Sequence, residues 1–99
     1  MGTLAYGSSG GRLYVEDRAL SHLKIVMATK LRRNESFTLS WRQFDGSGRE
    51  TLWIHPSIPL RFTFEEVDAP SLNVRWIEEM MYSANSTGGI VLTEENIAA

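Results

Sequence analysis

The apolar residues of this chain change their spacing between positions 17 and 42, and that change narrows the choice of folds more than any other feature. From 17 to 31 they recur at helical intervals: a step of about 100° per residue puts Leu20, Leu23, Met27 and Leu31 on one stripe, with Ala19 and Val26 at its edge. From 37 to 42, in Phe37-Thr38-Leu39-Ser40-Trp41-Arg42, they alternate with polar residues, as a half-buried strand requires. The same alternation returns at 60–65, where Leu60, Phe62 and Phe64 share one face and Arg61, Thr63 and Glu65 the other.

The rest of the chain fits between these segments. Strands are predicted at 1–6 and 12–15, joined as a hairpin through Gly7-Ser8-Ser9-Gly10-Gly11. The helix at 17–30 opens on Asp17 as its N-cap and breaks at Asn34-Glu35. Asp45-Gly46-Ser47-Gly48 is a turn, 51–55 a strand, and Pro56-Ser57-Ile58-Pro59 a stiff connection to the strand at 60–65. The strands at 37–42, 51–55 and 60–65 read as an antiparallel meander. A second helix starts near Pro70 or Ser71, runs to about residue 84 and is closed by Gly88-Gly89, before a last strand at 90–93. The expectation is one α+β domain over 1–99, in the order ββαβββαβ, with an antiparallel sheet and two helices packed on one of its faces. At 99 residues it can bury a core unaided.

The absence of cysteine removes disulfides, thiolate metal sites and a cysteine nucleophile together, and it fits the reducing cytoplasm. There is neither a signal-peptide pattern nor an apolar run long enough for a bilayer, so no membrane partner is expected. Glycines and serines before Arg12 resemble a phosphate cradle but lead into a strand and lack the Gly-Lys-Ser/Thr ending. His22 and His55 have no ligand spacing between them, and adjacent Glu78 and Glu79 diverge on their helix. No catalytic residue, metal or cofactor is expected.

Binding surfaces are better marked. Net charge is −2, yet Arg18, Lys24, Lys30, Arg32 and Arg33 follow one another with no acidic residue between them. Such a basic helix can meet phosphates, although cations at a helix C-terminus also complement its dipole. Arg18, His22, Thr29 and Arg33 fall opposite the apolar stripe. The outward face of the sheet should carry Arg42, Arg61, Thr38, Ser40 and Thr63, with Trp53 and His55 near Arg42 or Arg61. On the second helix Leu72, Val74, Trp76, Ile77, Met80, Met81 and Ala84 span roughly 200°, more than one sheet contact needs. Val74, Ile77 and Met81 are therefore the candidates for self-association into a homodimer. The functional expectation is a non-catalytic binding or assembly domain, with an accessory nucleic-acid-binding protein as the alternative.

Lys30-Leu31-Arg32-Arg33-x-Glu35-Ser36-Phe37, Ser40-Trp41, Trp53-Ile54-x-Pro56-x-Ile58-Pro59-Leu60, Pro70-Ser71-x-Asn73-x-x-Trp76-Ile77-Glu78 and Ser83-Ala84-Asn85-Ser86 stand in an order that resembles a family of small actinobacterial proteins of about this length. Its members often carry the label "ATP-dependent DNA ligase". That label implies a lysine in Lys-x-Asp-Gly that accepts AMP. Here Lys24 precedes Ile25-Val26 and Lys30 precedes Leu31-Arg32, so the resemblance brings no activity with it. Incubation with labelled ATP is expected to leave the protein unmodified, and a stable lysine–AMP adduct would reinstate the ligase reading.

Overall fold

The computed structural model describes residues 1–8, 11–43 and 45–95. Its elements are β1 Gly2–Tyr6, β2 Gly11–Val15, α1 Asp17–Arg32, β3 Phe37–Arg42, β4 Arg49–Ile54, β5 Leu60–Thr63, α2 Val74–Ala84 and β6 Ile90–Val91. This is an α+β fold in the expected order. Ser9 and Gly10 of the first loop, and Phe44 before the second turn, lie outside the described residues.

The strands divide between two three-stranded sheets, β2-β1-β5 and β4-β3-β6. In the first, β1 runs antiparallel to both neighbours, with Leu4 opposite Leu13 on one side and Phe62 on the other. In the second, β3 is antiparallel to β4 and parallel to β6. The expected meander is thus broken after β4. Two prolines in 56–59 remove ladder donors, and the Ile58 amide turns back to the His55 carbonyl at 3.0 Å. The chain is redirected, and β5 pairs with β1, where the Gly7 amide reaches the Pro59 carbonyl at 2.9 Å. The two sheets meet where the Tyr6 hydroxyl donates to the Trp53 carbonyl.

Strand parity is as the alternation requires. Phe37, Leu39 and Trp41 are buried, and Leu20, Leu23, Val26 and Met27 of α1 are fully enclosed with them. Gly89 lets β6 lie beside β3: its φ is 70°, and a Cβ there would collide with the Thr38 hydroxyl and carbonyl.

The helix ends differ in detail from the expected ones. Asp17 is the first helical residue and the cap position is Glu16; the Asp17 carboxylate instead accepts the Glu66 amide at 2.8 Å. Asn34, at φ 60°, closes α1, with its amide on the Leu31 carbonyl and the Glu35 amide on that of Lys30. α2 begins later than Pro70, because the Asn73 side chain accepts the Trp76 amide at 3.2 Å and so defines the cap. It ends at Asn85 in right-handed geometry, which leaves Gly89 to β6 and not to the helix terminus.

The helices run parallel. His22 touches Trp76 at one end, and Lys30 bonds Asn85 at the other. Trp76, 3% exposed, fills the space between α1 and the core, with its ring centroid 4.7 Å from that of His22. Truncating it removes a large buried surface and leaves a cavity, at a cost of about 3–5 kcal/mol. Trp76→Ala is expected to lower the melting temperature sharply at every protein concentration. A folded, stable monomer would instead locate Trp76 in a subunit interface.

Candidate functional site

The basic run on α1 is divided: Arg18 and Lys30 have internal partners, while Lys24, Arg32 and Arg33 are exposed. Arg18 grips Glu95 with two parallel bonds of 2.7 and 2.8 Å, and its remaining amino group donates to the Ser71 carbonyl at 2.9 Å. Asn73 adds its side-chain amide to the same carboxylate at 2.9 Å. The Arg18 guanidinium, and then Asn73, hold the Glu95 carboxyl down to about 2, from an ordinary value of 4.5.

His22, expected on the polar side of α1, has no exposed surface. The Asn73 amide donates to its Nε2 at 2.8 Å, so that nitrogen carries no proton, and Nδ1–H donates to the Arg18 carbonyl at 2.7 Å. Lys30 is buried too, with its ammonium 2.9 Å from the Asn85 side-chain oxygen and 3.3 Å from Glu35. These positions face α2, a neighbour that the periodicity of α1 alone does not reveal.

Of the other α1 cations, Lys24 is exposed and lies 5.6 Å from the centre of the Phe64 ring. Arg33 leans toward Glu35 at 3.9 Å, and Arg32 is exposed.

The outer sheet faces are different. Across β3 and β4, Thr38 stands opposite Trp53, Ser40 opposite Thr51, and Arg42 opposite Arg49. Thr51 and Ser40 join hydroxyls at 2.8 Å, while Val91 flanks Ser40 from β6. One open face thus runs from an arginine pair through hydroxyls to an indole, about 13 Å along β4. His55 follows Trp53; its Nδ1 accepts the Ser57 amide at 3.1 Å, which leaves Nε2 to donate outward. Trp53 is 58% exposed, whereas Trp41 and Trp76 are 7% and 3% exposed. Both Arg42 and Arg49 are exposed, and among the described residues neither has a carboxylate within 4.0 Å.

Arg61 is not on this face. It belongs to the other sheet, opposite Ala5, with Arg12 on the far side of that alanine. Arg12 and Arg49 are not among the expected residues of either face. Arg49 has the parity of Thr51 and Trp53 but precedes the predicted start of its strand, and only the β1–β5 pairing sets Arg12 in line with Arg61.

On α2, Val74 is 63% exposed, and Ile77 and Met81 are half-buried against the core. An open cleft of about 550 Å³ lies between α1 and the 64–72 segment, lined by Lys24, Ile25, Phe64, Val67 and Leu72 among others. Among the described residues no three metal-ligating side chains come together, and no helix is long and apolar enough to cross a membrane.

Residues 1–95 match the family described as "Domain of unknown function (DUF7882)", and the chain belongs to that family. No curated protein and no solved structure matches it.

The Arg18–Glu95–Asn73 cluster has a pH signature. Because the folded carboxyl is depressed, its contribution is complete above the ordinary value of 4.5 and is lost as pH falls toward about 2. Denaturant midpoints of the wild type should fall more steeply across that window than those of Glu95→Gln. Equal slopes would mean that the cluster contributes nothing.

Proposed function

We propose that this member of DUF7882 is a non-catalytic binding domain that takes single-stranded nucleic acid on the open face of β4-β3-β6. The observation that carries the reading is the directly opposed pair Arg42 and Arg49 on the face that also bears the exposed Trp53. Like charges directly opposite in an antiparallel pair oppose folding. A bound phosphate relieves that repulsion, and arginine is suited to phosphate contacts that carry no base preference. An exposed indole about two alternate positions away gives a base a surface to stack on, and any base has the flat face this needs. The Ser40 and Thr51 hydroxyls between them can bond sugar or phosphate oxygens.

Arg18 and Lys30 have no part in this surface, since both are spent on internal partners. No reaction is attached to it: the resemblance to proteins labelled as ligases brings no Lys-x-Asp-Gly site. The domain is taken to work in the cytoplasm, in keeping with its lack of cysteine. Assembly into a homodimer through Val74, Ile77 and Met81 is the second reading, favoured by the exposure of Val74. Sedimentation at several concentrations separates it from a monomeric binder.

Trp53 supplies its own probe, because the other two tryptophans are buried. Titration with a thymidine oligonucleotide at low salt is expected to quench tryptophan fluorescence. Trp53→Ala should weaken binding by roughly 5- to 150-fold, the equivalent of about 1–3 kcal/mol per stacked base. Arg42→Gln with Arg49→Gln should flatten the salt dependence by about 0.7 for each phosphate no longer neutralised. Absence of any quenching or binding at low salt would refute the reading.

A further inference from the structure

The β2-β1-β5 sheet repeats the pattern with different residues. On its outer face Ala5 of β1 stands opposite Arg12 of β2 and Arg61 of β5, so one row reads arginine, alanine, arginine. Two strand spacings separate the arginines' Cα atoms, about 9.6 Å. Alanine leaves the floor between them low, and both arginines are exposed. Among the described residues neither has a carboxylate within 4.0 Å. The next row on the same face is Tyr14, Thr3 and Thr63. Tyr14 is 54% exposed and lies two residues from Arg12, about 7 Å along β2. Beyond Thr63, Glu65 pairs with the Met1 amino group at 3.0 Å.

We infer that the Arg12–Ala5–Arg61 row, with Tyr14, is a second binding site for single-stranded nucleic acid, separate from the Trp53 face. Two guanidiniums on either side of a methyl group can close on one phosphodiester from both sides. The neighbouring phenol ring lies where the adjoining base can stack. The row offers one pair of guanidiniums and one ring, so the footprint is short, one phosphate and one base. Charge complementarity selects the ligand: an anion without a ring uses only the arginines, and an uncharged ring only the tyrosine. The site stands on its own cross-strand register and does not depend on the Trp53 face being functional.

Calorimetric titration with a thymidine tetranucleotide at low salt tests this. The wild type is expected to bind two molecules per chain. Arg12→Gln with Arg61→Gln should bind one, with Trp53 quenching intact. Arg42→Gln with Arg49→Gln should also bind one, without that quenching. Circular dichroism checks that each variant is folded. If the Arg12/Arg61 variant keeps the wild-type stoichiometry and affinity, or the wild type binds no tetranucleotide, the inference fails. If binding disappears only in the Arg12/Arg61 variant, this site stands and the Trp53 face is the one refuted.

Discussion

A buried imidazole holds the helical layer together. His22 receives the Asn73 amide on one nitrogen, returns a bond to the Arg18 carbonyl from the other, and lies against the Trp76 ring. The residue it meets, Asn73, also caps α2 and grips Glu95, which in turn pairs with Arg18. Each of these groups would be costly to bury alone, and together they satisfy one another. The segment from Leu92 to Glu95 runs on from β6, where the Leu92 amide reaches the Ser40 carbonyl at 2.9 Å and the Thr93 hydroxyl meets the Trp76 indole. The seam between the helices therefore also holds the third strand of the β4-β3-β6 sheet in place.

That arrangement determines which charges remain available. Lys30 and His22 are drawn into the interior, and Arg18, partly exposed, is held by Glu95 and Ser71, so the polar atoms of all three have protein partners. Arg12, Arg42, Arg49 and Arg61 stand on open sheet faces without a carboxylate within 4.0 Å among the described residues. An unpaired arginine on a surface costs little, but Arg42 directly opposite Arg49 is unfavourable by a few tenths of a kcal/mol to about 1 kcal/mol. On the reading proposed above, a polyanion seated on this face reverses the sign of that interaction.

Much of this is legible in the chain itself, for a physical reason. Alternation along a strand fixes which side chains share a face whatever the strand pairs with, so Phe37, Leu39 and Trp41 point inward and Arg42 and Trp53 outward, as their positions imply. Pairing is another matter. Nothing local to Leu60-Arg61-Phe62-Thr63 says that it joins β1, because strand partners are selected by the whole core. Alternation alone therefore sets Arg61 beside Arg42, when it belongs to the other sheet. The burial of His22 and Lys30 is hidden for the same reason. Lys30 sits at the edge of the apolar stripe of α1 and His22 on its polar side, positions that are solvent in an isolated helix and become interior only when α2 packs parallel to it. The late start of α2 follows from Asn73, whose side chain competes successfully with Pro70 and Ser71 as the initiation signal.

The central claim is that ligand contact belongs to the sheets and not to the basic sequence of α1. Amide chemical-shift mapping during titration with a short thymidine oligonucleotide tests it directly. The account predicts that the shifted amides lie in β3 and β4, around Arg42, Arg49 and Trp53, and in β1 and β2 around Ala5 and Arg12, with α1 unmoved. Shifts concentrated between Arg18 and Arg33, with the sheets silent, would contradict it.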